Sequence, residues 1–296
     1  MKSRSKNIFV YKTNSKPLTF NFFNYKWRRV PTWARATEPV YRKWYLDRYG
    51  YKNMDGLRKF LVDKKFICEA GCGLARDSKM FAEANPHAQI LAADQSRQAL
   101  LQAKKTLAPY ANCKTMIVDI TRFPVKQTFD FISCDQVIHH TPNPGDTLRH
   151  LYAKLNVGGV LNFSVCKKKN KYRELVDDLI MERAKTMRPS VLWEFARKVT
   201  EFAKALYDLR ISNVAFGKKR YENLQRFVHN HVFRAWYNPD IHFELSLSSN
   251  YDWFCGNPRL SAQEVRKNML GKISHFNVLR FIEDDAVISV SLKKLK

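Results

Sequence analysis

The chain has 296 residues, 45% of them apolar, and carries 52 Lys/Arg against 27 Asp/Glu. That length and apolar content suffice for a full hydrophobic core and exclude a disordered or low-complexity polymer. No apolar run approaches the roughly 20 residues a membrane-spanning helix needs, and the first residues lack the apolar stretch of a secretory leader.

Six cysteines are scattered without a second pair at zinc-like spacing, so a reduced, cytoplasmic protein with no metal site is expected. The charge is uneven. Residues 1–66 hold 17 Lys/Arg against 4 Asp/Glu, residues 67–166 hold 10 against 8, and residues 167–296 hold 25 against 15. Basic flanks around a nearly neutral centre suit an anionic substrate, nucleic acid or a membrane surface, or are simply solvated.

In chain order, residues 1–20 are polar and basic with no sustained period and read as a loosely held arm. Residues 21–65 hold three Trp, many Tyr and Phe, and an Arg cluster. Thr37 as a cap and Pro39 in the first turn predict a helix to about Arg48, with Tyr41, Trp44 and Tyr45 on one face. Gly50 ends it, and Met54–Val62 reads as a second short helix. The segment reads either as a lid over a site or as a helix packed on a sheet.

From Phe66 a strand–helix rhythm sets in. Strands are expected at Phe66–Glu69, Gln89–Ala93, Cys113–Val118, Phe129–Cys134 and Val160–Cys166. Helices are expected at Leu74–Asn85, Ser96–Leu107 and Gly145–Leu155. Such alternation implies a parallel, doubly wound sheet. Residues 167–250 leave this rhythm with the basic run KKKNKYR and then read as mostly helical, with apolar positions at Leu175, Leu179, Ile180, Leu192, Phe195, Val199, Phe202 and Leu206. A capping box, Ser261 with Glu264, starts a helix to Met269. Strands at Asn277–Ile282 and Ala286–Leu292 follow. The organisation expected is a basic aromatic lead over 1–65, an α/β core over 66–166, a helical insertion over 167–250 and the end of the core, with a terminal hairpin, over 251–296.

The chemistry concentrates in Lys65–Ser78, KFICEAGCGLARDS. A strand, a two-glycine turn and a helix form a nucleotide-binding unit. Gly71 permits a positive φ, Gly73 permits close backbone approach, and the helix start offers free N–H groups. Arg76 stands where a dinucleotide fingerprint wants its third glycine. Glu69 at the strand end disfavours a pyrophosphate and suits a cationic amino-acid end. Asp94, with Gln95 beside it, ends the second strand and can accept both hydroxyls of a ribose. Asp119 ends the third strand. Ligands of open α/β sheets bind at these carboxyl ends.

The loop Glu69-Ala70-Gly71-Cys72-Gly73-Leu74-Ala75 resembles motif I of the class I S-adenosylmethionine-dependent methyltransferases, with alanine for the last glycine. Asp135-Gln136-Val137-Ile138-His139-His140 and Leu155-Asn156-Val157-Gly158-Gly159 resemble later motifs of that family. The resemblance covers residues 65–166 well and the final hairpin loosely. The lead and Tyr251-Asp252-Trp253-Phe254 look like a bacterial small-molecule subgroup.

The resemblance implies a Rossmann-like seven-stranded sheet, a helical N-terminal lead, a helical insertion before the last two strands, and S-adenosylmethionine as cofactor. It places Asp119 beside the adenine, Ile120 on its ring, and Asp135 and Gln136 over the methionine end. Methyl transfer by in-line displacement to a small acceptor is implied, with His139 or His140 as proton acceptor. Trp27, Arg28, Arg42, Tyr251 and Trp253 are the substrate-side candidates. An RNA methyltransferase using the basic flanks and a non-catalytic binding protein on the same fold are the alternatives.

Overall fold

The computed structural model describes residues 9–10, 17–123, 126–256 and 258–296. The chain begins with a two-residue strand β1 (Phe9–Val10) and helices α1 (Pro17–Arg29), α2 (Trp33–Tyr49) and α3 (Met54–Leu61). The core follows as β2 (Phe66–Ala70), α4 (Arg76–Ala84), β3 (Gln89–Asp94), α5 (Arg97–Leu107), β4 (Cys113–Ile117), β5 (Phe129–Cys134), α6 (Pro144–Ala153) and β6 (Leu155–Cys166). Next come α7 (Lys171–Ala184), α8 (Pro189–Asp208), β7 (Ser212–Phe216), β8 (Lys219–Asn223), α9 (Leu224–His231) and α10 (Phe243–Phe254), before β9 (Phe276–Glu283) and β10 (Val287–Lys294).

These elements sort into two compact units. One holds residues 1–16, 37–167 and 258–296; the other holds residues 17–36 and 168–257. In the first unit the sheet order is β1-β4-β3-β2-β5-β6-β10-β9. The strands from β4 to β6 pair in parallel, and β10 runs antiparallel to both β6 and β9. Without the short edge strand β1 this is the expected seven-stranded sheet. The strand order reverses between β2 and β5, which opens a crevice at their carboxyl ends.

Strands covered on both faces must be apolar throughout, and β5, FDFISC, is buried at five of its six positions. On one face Tyr45 and Tyr49 of α2 pack with Leu57, Leu61, Phe81 and Phe131. On the other, Leu148 and Leu151 of α6 and Val265 and Met269 pack with Phe129, Leu161 and Val290.

The second unit is helical except for the β7–β8 hairpin. Phe22, Tyr25, Trp193 and Tyr251 form a ring cluster in it, with Trp193 and Tyr251 centroids 5.0 Å apart. Its α7 turns leucines outward. Arg173, Asp177, Met181 and Ala184 face inward, whereas Leu175 and Leu179 are exposed, as is Phe202 of α8. A buried ion pair, Arg173 Nε to Asp177 Oδ2 at 2.6 Å, makes a charged face the inner one. Leu192 and Val199 are buried as their spacing suggests.

Three local expectations are corrected. Helix α2 starts at Trp33 rather than near Thr37, so Pro39 lies inside it. Trp33 packs edge-on against Trp27 at 5.8 Å and Ala36 N–H reaches the Thr32 carbonyl, which sets the earlier start. Helix α4 starts at Arg76 rather than Leu74, because Ala75 is left-handed at φ 59°. The capped helix at Ser261 keeps its capping box but continues as a π turn, Val265–Met269, and a 3-10 turn, Leu270–Lys272. The arm expected over residues 1–20 lies mostly outside the described residues; Phe9–Val10 pairs with β4, and α1 begins at Pro17.

Candidate active site

The first glycine turn is built by backbone contact. Gly71 has φ 85°, and its N–H and that of Cys72 both donate to the Ala93 carbonyl, at 2.7 and 2.9 Å. A Cβ on Gly71 would come within 2.2 Å of Val137 Cγ1, so only glycine fits where the β2 and β5 loops meet. Gly73, at φ 52°, turns its N–H onto Asp94 Oδ2 at 2.8 Å.

Asp94 also accepts from Ser96 N–H on Oδ1 at 2.7 Å, so both oxygens are fixed in direction. Each carboxylate oxygen keeps a further acceptor site, which suits a pair of vicinal hydroxyls. Burial raises the Asp94 pKa against the pull of these two N–H groups. Gln95 is half-buried beside it. At the end of β4, Asp119 is buried and accepts Thr121 N–H and Oγ–H on Oδ1, at 2.9 and 2.8 Å; Ile120 next to it is also buried.

Glu69 has a second task. Ala75 occupies the N-cap position of α4 and gives no side-chain cap. Glu69 replaces it from the strand end, accepting Ser78 N–H at 2.7 Å and the Ser78 hydroxyl on the same oxygen. Burial, followed by the neighbouring Asp77, pushes its pKa well above the usual carboxylate range.

Beyond β5, Asp135 accepts Tyr49 O–H at 2.8 Å and Ser164 O–H at 2.7 Å on Oδ1, with Arg48 3.4 Å from Oδ2. Ser164 in turn accepts the N–H of Gln136, itself at φ 55°. Tyr45 O–H meets Ser133 Oγ at 2.9 Å, and the Arg76 guanidinium lies 4.6 Å over the Tyr41 ring while pairing through two nitrogens with Asp77. The Tyr41–Tyr49 stretch thus lines the loop after β5. Sequence reading missed Arg48, Tyr49, Arg76 and Ser164 as parts of this site. Arg76 was visible as a cation inside the glycine loop; the other three reach Asp135 over gaps of 29 to 87 residues.

His139 is buried, with Nε2 3.4 Å from Cys166 Sγ and its ring 4.3 Å from that of His140. Burial lowers its pKa to about 4, against backbone at Ser164 and the charge of Asp135. His140 is half-buried. Arg42 pairs with Glu38 and, at 2.9 Å, with Glu83.

Trp27, Arg28, Tyr251 and Trp253 belong to the second unit. Trp27 takes Lys26 Nζ over its ring at 4.2 Å, and Arg28 is exposed. The Tyr251 hydroxyl donates to the Phe22 carbonyl at 3.1 Å, and Trp253 Nε1 donates to Asp177 at 2.8 Å.

Comparison with known proteins adds the following. The family described as "Methyltransferase domain" matches residues 68–161, about a third of the chain. A malonyl-[acyl-carrier protein] O-methyltransferase of Legionella pneumophila is 30% identical over 116 residues, which is 39% of this chain and 41% of that protein. The chain therefore spans less than half of that relative. A protein of the same description from Ilyobacter polytropus is 24% identical over 193 residues, 60% of this chain and 70% of that one.

Among solved structures, the N-methyltransferase NodS from Bradyrhizobium japonicum aligns with a TM-score of 0.48 at 11% identity, covering 93% of this chain and 100% of that chain. Magnesium protoporphyrin IX methyltransferase from Synechocystis aligns at 0.43 and 15%, covering 83% of each. The fold itself is defined by the strand order with its antiparallel β10. The core of this chain carries a methyltransferase domain over residues 68–161.

Proposed function

We propose that the chain transfers the methyl group of S-adenosylmethionine to a small-molecule acceptor through an oxygen or nitrogen nucleophile. The observation that carries this reading is Asp94, fixed by Gly73 N–H and Ser96 N–H at the end of β3. It fits the two hydroxyls of a ribose. Glu69 and Asp119 end the neighbouring parallel strands on either side of β3. Asp119 and Ile120 fit the adenine, and Asp135 with Gln136 fits the methionine end.

The bound cofactor supplies an already activated sulfonium methyl group. The chain's own task is to align the nucleophile and keep water away. Tyr41, Tyr45 and Tyr49 give the loop after β5 an aromatic wall, and half-buried His140 takes the proton from the acceptor in preference to buried His139. The two O-methyltransferases that the chain resembles favour an oxygen nucleophile.

The test is titration calorimetry with S-adenosylmethionine, followed by transfer of a labelled methyl group to panels of small carboxylates, phenols and amines. Binding that is weakened in Asp94→Ala and transfer to one panel are expected. A folded chain that does not bind the cofactor overturns the proposal.

A further inference from the structure

The second unit carries an outward apolar surface beside a concentration of positive charge. Helix α7 turns Arg173 and Asp177 inward, which leaves Tyr172, Leu175 and Leu179 exposed at 67%, 58% and 66%. These sit at i, i+3 and i+7, one face of the helix. Its N-terminal end is preceded by Lys167-Lys168-Lys169 and opens with Lys171, with no acid before Glu174.

The β7–β8 hairpin repeats the combination. From Leu209 to Tyr221 it contains Arg210, Lys218, Lys219 and Arg220 and no Asp or Glu; the exposed Glu222 that follows in β8 pairs with Arg226. Phe216 stands at the tip, 55% exposed, and Leu209 and Ile211 at the base are exposed as well. The two features adjoin. Lys169 Nζ donates to Asn230 Oδ1 at 3.1 Å, Asn170 Nδ2 lies 3.1 Å from His231 Nδ1, and the His231 ring lies tilted 4.9 Å from that of Phe216. Of the acids of α7, Glu174 in the first turn accepts Lys169 N–H at 2.8 Å, Asp177 is buried, and Asp178 and Glu182 follow farther along the helix.

We propose that the hairpin tip and the N-terminal end of α7 form a docking surface for an anionic lipid bilayer. The argument is complementarity of two kinds. Lysines and arginines near a surface of anionic headgroups each add attraction, which salt screens. Phe216, Ile211 and Tyr172 provide apolar and aromatic side chains that enter the boundary between headgroups and acyl chains. Aliphatic side chains among the cations favour a bilayer over nucleic acid, where bases would stack on aromatic rings and leave leucine and isoleucine in water. The surface keeps the enzyme at the membrane without spanning it; no helix among the described residues is long and apolar enough to cross.

The experiment is co-sedimentation of the full chain with vesicles of phosphatidylcholine alone or mixed with phosphatidylserine, at low and high salt. Binding to the mixed vesicles only, weakened by salt, is expected. Reversing three charges together, K218E/K219E/R220E, should weaken it at least about tenfold. Phe216→Ser should weaken it severalfold while leaving the salt dependence unchanged. S-adenosylmethionine binding, measured on the same preparations, checks that each variant is folded. Equal binding to both vesicles, or a charge-reversed variant that binds like the parent, overturns the proposal. Retention by single-stranded RNA without vesicle binding overturns it in favour of a nucleic-acid partner.

Discussion

In the first unit Glu69, Asp94 and Asp119 accept their hydrogen bonds from uncharged groups: Ser78, Gly73, Ser96 and Thr121. In the second unit Asp177 and Asp252 face cations. Asp177 takes Arg173 Nε and Trp253 Nε1 on one oxygen and the Arg234 N–H on the other, and Asp252 pairs with Lys26. A carboxylate held by N–H and O–H groups is fixed in direction without a neutralising partner, so its charge is still available to a ligand. A carboxylate paired with a buried guanidinium has spent that charge inside the fold. Asp135 lies between the two kinds, with two hydroxyls and a more distant Arg48.

The largest test of that contrast removes a paired acid. Asp177→Ala leaves Arg173 buried without its carboxylate and should destabilise the chain by about 3–5 kcal/mol in denaturant unfolding. Replacing Arg173 and Asp177 together by apolar residues of similar volume should recover most of the loss. A single-variant cost under about 1 kcal/mol would mean that the pair is not structural.

The second test uses pH. The His139 pKa is lowered to about 4 in the folded chain, below the unfolded value near 6.5. Its contribution is therefore complete above about pH 6.5 and is lost as pH falls toward 4, by about 2–3 kcal/mol. His139→Phe should flatten the stability profile over that interval. An unchanged slope would show that the imidazole is not held neutral by burial.

Next comes the acid held by neutral donors. Asp94→Ala should weaken cofactor binding by about 1.5–3 kcal/mol in calorimetry while shifting unfolding by no more than about 1 kcal/mol. A large loss of stability with intact affinity would reverse the comparison. The smallest effect is expected at Ala75, whose left-handed backbone costs an alanine more than a glycine. Ala75→Gly should stabilise the chain by about 0.5–1 kcal/mol, read as a raised unfolding midpoint.

The core was legible because each of its strands announces itself locally. Phe66–Ala70, Gln89–Asp94 and Phe129–Cys134 are short apolar runs that end in turns, and Ile288, Val290 and Leu292 recur at every second residue of β10. The places of Glu69 and Asp94 at strand ends were legible for the same reason. Ala75 shows the limit of that reading: its size looked harmless, while its cost lies in φ.

The orientation of helix α7 was not legible. Leucines at helical spacing predict the inner face unless a buried ion pair claims it, and Asp177 gains its other partners only from Arg234 and Trp253, far along the chain. The β7–β8 hairpin was hidden because its strands are largely exposed and polar, with little apolar alternation to report them.

The sheet is closed late. Strand β10 pairs with β6 along Val160–Cys166, yet it follows about 120 residues downstream, after the whole segment 168–257. At ribosomal rates of roughly 5–20 residues per second, β6 waits on the order of ten seconds for its partner. During that wait Leu161, Phe163 and Val165 sit on an open edge, a template for pairing with another nascent chain. Synthesis therefore passes through an interval of aggregation risk, when a chaperone that shields strand edges has most to offer. Any fragment ending before Val287 presents the same unpaired edge permanently.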